Sequence, residues 1–158
     1  MRGCILALFS GLVLLGSLAS GQETKPPQTQ NSSYETLSNQ FFDFLKQGKS
    51  SEAVDFLFET NPALKKMTDD ATQLKTQFAS VETLMGSYVS HTKLVETTVG
   101  GMFVYQHFFV AYERQPISVR IEYYKPGSKW LCYSLQFDGK LTDKVRSLSD
   151  ERISIEAK

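Results

Sequence analysis

Residues 102–124 read MFVYQHFFVAYERQPISVRIEYY, and the alternation inside this stretch decides the fold class. Ile117, Val119, Ile121 and Tyr123 alternate with Ser118, Arg120, Glu122 and Tyr124. A period of two belongs to a half-buried strand, apolar on one side and polar on the other. Gln115-Pro116 breaks the run, and a turn there makes a hairpin of its two halves. Pairing across a two-residue turn sets Tyr112 opposite Val119, Val110 opposite Ile121 and Phe108 opposite Tyr123. On the other face it sets Phe109 opposite Glu122 and His107 opposite Tyr124.

Working outward, the same texture extends in both directions. Upstream lies the run Tyr88–Val99, separated by Gly100-Gly101, both of which accept the positive φ of a tight hairpin turn. Downstream lies Trp130–Phe137, separated by Pro126-Gly127-Ser128. Breaks this short imply a four-stranded antiparallel meander. A two-residue glycine turn adds Val99, Val95, Lys93 and His91 to the apolar inner face. A three-residue loop before the last strand adds Leu131, Tyr133, Leu135 and Phe137. Cys132 then falls on the outer face. A slip of one residue would reverse these faces.

The chain before Tyr88 is helical. Tyr34, Leu37, Phe41, Phe44 and Leu45 recur at three- and four-residue steps, with Ser32 or Ser33 as cap and Gly48 as terminator. A second helix is expected from about Ser51 to Glu59. Asn61-Pro62 marks a short helical turn to Lys66. Thr68 is expected to cap a longer helix with Asp69 and Asp70 in its first turn. Ala71, Leu74, Phe78, Val81 and Met85 line one face of it, and Gly86 ends it.

The first 21 residues have the signature of a secretory signal peptide: Arg2, the apolar stretch Ile5–Leu15 and small residues Ala19-Ser20-Gly21. That core is too short for a spanning helix, which takes roughly 20 apolar residues. The expected organisation is therefore signal peptide 1–21, disordered linker 22–33, α+β domain 34–148 and C-terminal tail 149–158. An exported chain, periplasmic or extracellular and without stable membrane insertion after cleavage, follows. Cys4 leaves with the signal, so Cys132 has no disulfide partner within the chain.

The 158 residues carry 17 Lys+Arg and 17 Asp+Glu. No basic excess points to nucleic acid. No metal is expected: no His/Cys/Asp/Glu group has ligand spacing, and His91 and His107 fall on opposite sheet faces. No sequence feature calls for a cofactor.

Two segments resemble the nuclear transport factor 2-like superfamily. Phe41-Phe42-Asp43-Phe44-Leu45-Lys46-Gln47-Gly48-Lys49, followed by Glu52-Ala53-Val54, is similar to its opening helix pair. Gly127-Ser128-Lys129-Trp130-Leu131-Cys132-Tyr133-Ser134-Leu135 is similar to its final strand. The resemblance implies an α+β roll, N-terminal helices packed on a curved four-stranded antiparallel sheet, with a conical pocket and frequent homodimers through the outer sheet face. Small exported bacterial members of unknown function are the nearest match in kind. Catalytic relatives place an Asp or a His-Asp pair in the pocket. Here the inner face of the last three strands has no carboxylate.

Two groups of candidate residues result. His91, Lys93, Gln106, Tyr112, Tyr123 and Tyr133 are polar-capable side chains expected to face a cone pocket holding a small apolar ligand. Tyr105, His107, Phe109, Arg120, Glu122, Tyr124 and Trp130 make the outer face aromatic enough to be an interface. The expected function is an exported non-enzymatic binding domain, dimeric or joined to a protein partner. The competing readings are a lyase or isomerase with His91 as base and Tyr112 as donor, and a structural accessory domain of an envelope complex. No catalytic residue is assigned on the leading reading. Cover of the outer face by the segment 140–158, with Leu141, Val145 and Leu148 at helical spacing, stands against the dimer.

Overall fold

A computed structural model describes residues 32–156. The expected signal segment and most of the linker lie outside the described residues. Four helices come first: α1 (Tyr34–Lys46), α2 (Ser50–Glu59), α3 (Pro62–Lys65) and α4 (Thr68–Met85). Then come β1 (Tyr88–Val99), β2 (Phe103–Tyr112), β3 (Pro116–Tyr124) and β4 (Leu131–Asp138), and last α5 (Leu141–Glu156). The sheet order is β1-β2-β3-β4, with every neighbouring pair antiparallel. This is the expected α+β arrangement, helices packed on a four-stranded meander. The final helix crosses the position 148/149 where a tail was expected to begin.

Local chemistry sets the helix ends. The Ser33 hydroxyl accepts from the Thr36 N–H at 3.2 Å and caps α1. Gly48, at φ +71, lets the chain leave it. Asn61 caps α3 by accepting from the Ala63 N–H at 3.0 Å, with Pro62 at the first helical position. Residue 67 rather than Thr68 occupies the cap position of α4.

The core lies between α1, α2, α4 and the inner sheet face. Leu37, Phe41, Phe42 and Leu45 bury from α1, Phe78 and Val81 from α4, and Val104, Phe108, Val110, Ile117, Val119, Ile121 and Tyr123 from the sheet. Phe42 meets Phe108 edge-on at 4.7 Å between centroids, and Phe78 meets Phe137 at 4.3 Å. The inner-facing set of β2 and β3 is the one that alternation predicts. Phe44 differs from its place in the expected stripe: it is half-buried against Phe56, and Phe42 takes the interior.

The registers depart from simple turn counting in each of the three strand pairs. Between β2 and β3, Phe108 pairs with Val119, Val110 with Ile117 and Ala111 with Pro116. Tyr105 rather than Phe109 faces Glu122, and His107 faces Arg120 rather than Tyr124. The shift preserves the faces. Its cause is the α4–β1 junction, which takes the backbone of residues 113 and 114 for itself. The Glu113 N–H donates to the Ser87 carbonyl and the Arg114 N–H to the Met85 carbonyl. The Arg114 guanidinium also caps the carbonyls of Thr83 and Leu84. Gly86, at φ +86, sits so near Glu113 that a β-carbon there would lie 2.9 Å from that of Glu113.

Between β1 and β2, Val99 pairs with Phe103, so Met102 joins the two glycines in a three-residue turn. Val95 and Val99 therefore face outward, and Val99 is 62% exposed. Glu96 and Thr98 take the inner register in their place. A bulge between Lys93 and Val95 then restores Lys93 and His91 to the inner register, opposite Phe108 and Val110. One extra residue changes the parity beyond it.

The third departure is in β4. Leu135 and Phe137 face inward as expected, but a register shift at Tyr133 turns Cys132 into the core. Tyr133 is left 57% exposed. The Cys132 N–H donates to the Thr60 hydroxyl and the Cys132 carbonyl accepts from the Asn61 amide, both at 2.8 Å. The α2–α3 corner thus satisfies the backbone groups of this irregular stretch.

Candidate functional site

The inner face carries two separate polar groups. At one end lie Tyr88, His91 and Tyr112. Residue 91 stands in the restored register after the bulge, which brings its imidazole flat against the Phe42 ring, 3.8 Å between centroids at 11°. Its Nδ1 is 2.6 Å from the Tyr88 hydroxyl. Tyr88 in turn meets Tyr112 edge-on at 6.1 Å. Burial pushes the His91 pKa below its ordinary value, and the nearby charge of Asp43 offsets this in part. Burial likewise raises the Tyr112 phenol.

At the other end Lys93, Gln106 and Tyr123 come together, joined by two residues that the alternation did not single out, Ser38 and Glu96. The Ser38 hydroxyl donates to Gln106 Oε1 at 2.5 Å and lies 2.8 Å from the Tyr123 hydroxyl. A serine has one proton to give, so Tyr123 is the donor to Ser38. The Gln106 amide then donates to Glu96 Oε2 at 2.9 Å. All donors point one way, from the buried phenol to the exposed carboxylate. Such a chain polarises along its length and ends on the anion. Lys93 Nζ reaches the same Glu96 oxygen at 2.5 Å, and the Tyr34 hydroxyl donates to the other at 3.2 Å. The Lys93 hydrogen bond, followed by that of Gln106, holds the Glu96 carboxyl below the usual carboxylate range. Glu96 is therefore an anion at neutral pH.

Trp130 is not on the outer face. Its indole packs edge-on to Tyr34 at 5.1 Å, half-buried against the core, with Lys125 Nζ 5.5 Å above the ring. Tyr34 also lies 6.2 Å from Tyr123. Tyr133 leaves the pocket set altogether: it lines a surface groove with Leu64 and Leu74 and meets Phe103 at 6.2 Å.

The outer face holds Tyr105, His107, Phe109, Arg120, Glu122 and Tyr124 as the alternation predicts. His107 Nε2 is 2.6 Å from the hydroxyl of buried Ser118. Arg120 is paired with Asp138 at 2.7 Å. Burial, then Arg120 and Lys144, depress the His107 pKa, with Asp138 opposing them. The first turns of α5 stand over one end of this face, where Leu141, Thr142, Val145 and Arg146 line a groove together with Leu94 and Phe109. The other end, around Val99, Phe103 and Tyr124, is open.

Cys132 is wholly buried and its thiol is pushed up to about 12 by burial. Among the described residues no three His, Cys, Asp or Glu side chains gather to hold a metal ion, and no helix is long and apolar enough to cross a membrane.

Sequence signals for the missed residues are uneven. Ser38 lies one position beyond Leu37 on a predicted helix and has no signal of its own. Glu96 is hidden by the bulge, because simple alternation from the glycine turn sends it outward.

No family model matches the chain, and no curated protein matches it. A solved structure named as an NTF2-like transpeptidase from Campylobacter jejuni is similar, with a TM-score of 0.50 at 20% identity. The likeness covers 64% of this chain and 97% of that one. At that identity the likeness speaks for architecture, and it agrees with the element order and the meander: the chain has a nuclear transport factor 2-like fold.

Proposed function

We propose that the protein is an exported, non-enzymatic binding domain that joins a second copy through the outer face of its sheet. The observation that carries this reading is where the exposed apolar area lies. Val95, Val99 and Tyr124 stand exposed on the outer face, beside half-exposed Phe103, Tyr105 and Phe109. Concentrated apolar surface of this kind marks an interaction site. A self-complementary patch closes with two-fold symmetry. The half of the face that α5 leaves open is the expected contact.

The inside of the cone supports the non-enzymatic side of the reading. Its polar groups are spent on one another, from Tyr123 through Ser38 and Gln106 to Glu96. The partner of His91 is a phenol on its own strand, and the aromatic rings of Phe41, Phe42, Phe78 and Phe108 fill the space between. A lyase or isomerase would place an acid or base beside free volume, ready to move a proton. Transpeptidation, the activity in the name of the similar Campylobacter protein, does not transfer readily to these residues. An acyl-accepting thiolate is disfavoured at Cys132, and the Ser118 hydroxyl beside His107 is buried.

Sedimentation of the purified protein at tens of micromolar tests the dimer. Tyr105→Lys places a charge in the open half of the face and is expected to give a folded monomer, since an unpaired charge resists desolvation. Phe109 is the poorer probe, because α5 lies over it. A wild-type protein that sediments as a monomer sinks the homodimer.

A further inference from the structure

β1 is an edge strand: β2 lies on one side of it and no described strand on the other. Apart from Tyr88 and His91, every residue along it is exposed. An open edge strand is a template for a further strand. We propose that this edge pairs antiparallel with the same edge of a second copy, about a two-fold axis between Leu94 and Val95, which joins the two sheets into one. The contact uses the rim of the sheet, not its outer face, and does not depend on the outer-face dimer.

The bulge makes the strand fit itself. Lys93 and Glu96 face inward, opposite Phe108 and Gln106, while Thr92 and Thr97 face outward, opposite Phe109 and Tyr105. Between them Leu94 and Val95 share the outer side: Leu94 lines a groove with outward Phe109, and Val95 pairs with outward His107. From residue 91 to 98 the sides therefore read in, out, in, out, out, in, out, in, the same from either end. A two-fold at the centre sets like-facing residues opposite one another, 93 against 96, 92 against 97 and 91 against 98. Strict alternation has no such centre between two residues. The backbone groups agree. The Val99 carbonyl accepts from the Met102 N–H, and the Met102 carbonyl from the Lys125 N–H on the far side. Alternation then turns the backbone groups of Val95 and Thr97 toward β2 and those of Glu96 and Thr98 toward the open edge. Phe108 and Val110 direct theirs to β3, so Lys93 and His91, which stand opposite them, also direct theirs to the open edge. Pairs 93–96 and 91–98 are hydrogen-bonded across the two-fold, and pairs 92–97 and 94–95 are not.

Charge selects the partner. Within one chain Lys93 bonds Glu96 at 2.5 Å. The two-fold sets Lys93 of each copy opposite Glu96 of the other, on the same inner side, so that four charges alternate in sign. Opposite charges directly across a strand pair are stabilising. On the outer side Leu94 and Val95, each 46% exposed, meet their counterparts. A slip of one or two residues sets an inward side chain against an outward one at the bulge. Bulges and inward charges guard an edge against indiscriminate pairing, and here they leave one register in which the edge matches itself.

Register-specific cross-linking tests the pairing. Thr92 and Thr97 of the two copies form a pair without hydrogen bonds, whose Cα atoms lie about 4.5 Å apart, within reach of a disulfide. Within one chain the same two positions are roughly 15 Å apart along the strand and cannot bond. Thr92→Cys chains mixed with Thr97→Cys chains under mild oxidation should give a cross-linked dimer. Neither variant alone should do so, nor the wild type, whose Cys132 is buried. Thr98→Pro removes an N–H from the open edge, where proline is tolerated. Added to both cysteine variants, it should lower the cross-linked yield about ten-fold, the scale of two lost hydrogen bonds. Circular dichroism checks that each variant is folded. No cross-link in the mixture, equal cross-linking in a single variant, or an unchanged yield with folded Thr98→Pro overturns the proposal. Sedimentation of Tyr105→Lys reads the outer-face contact separately, so either reading can fail alone.

Discussion

Gln106 joins the buried half of the cone to its exposed carboxylate. It is 1% exposed and uses both ends of its amide, accepting from Ser38 and donating to Glu96. Replacing it with leucine strands a buried serine proton and removes one of the bonds to Glu96. Leaving a buried donor unmade costs about 1–3 kcal/mol. Gln106→Leu is therefore expected to lower the denaturant midpoint by a corresponding amount. An unchanged midpoint would show that the chain of hydrogen bonds contributes nothing to stability. The two histidines make a second prediction at this scale. Both have pKa values lowered by burial, with Arg120 and Lys144 adding to the effect at His107. The folded state then binds fewer protons than the unfolded chain below the ordinary histidine value of 6.5. Their contribution is intact above that value and is lost as pH falls below it toward their folded values. Chemical denaturation at pH of about 7.5 and about 5.5 should show this fall, and the double variant His91→Gln/His107→Gln should flatten it. Glu96 and Asp138 act in a separate window. Their carboxyls are held low, so their contribution is lost only as pH falls through the more acid carboxylate range.

At the scale of the element, α1 shows how a helical stripe is narrowed by its neighbours. Phe41 is fully buried, edge-on to Phe42 and Phe78 at 5.2 and 5.8 Å. Phe44 lies at the margin against Phe56. Truncating a buried phenylalanine costs about 3–5 kcal/mol, so Phe41→Ala should approach that range and Phe44→Ala should fall well short of it. Equal losses in denaturant midpoint would mean that the two rings bury alike. The helical elements are legible in the sequence because caps and stops are local: Ser33, Gly48, Asn61-Pro62 and Gly86 all mark ends within a residue or two. The strand registers are less so. The shift in β4 and the four-residue shift between β2 and β3 involve groups far away in the chain. Thr60 and Asn61 hold Cys132, and residues 85 and 87 claim the backbone of 113 and 114.

For the whole molecule, the outer sheet face is shared between α5 and open solvent, with Val95, Val99 and Tyr124 exposed on it. Export belongs to this scale too. The tripartite N-terminus predicts a mature chain beginning near Gln22, outside the cytoplasm. Amino-terminal sequencing of the exported protein should find that end, and Met1 on a membrane-fixed product would refute cleavage.

The sequence by itself determined the order of helices and strands, the inward set of β2 and β3, and the aromatic character of the outer face. Each of these follows from periodicity and local caps, which act over a few residues. Tertiary structure alone decided which polar residues share a site. His91 and Tyr112 were expected beside Lys93, Gln106 and Tyr123, yet they lie apart, and Tyr133 and Trp130 exchange faces through the shift in β4. Only the packed fold brings Ser38, from α1, against Gln106 and Tyr123, at separations of 68 and 85 residues. The physical reason is parity. One inserted residue in a strand reverses every side chain beyond it, and the insertion is stabilised by partners that no local pattern names.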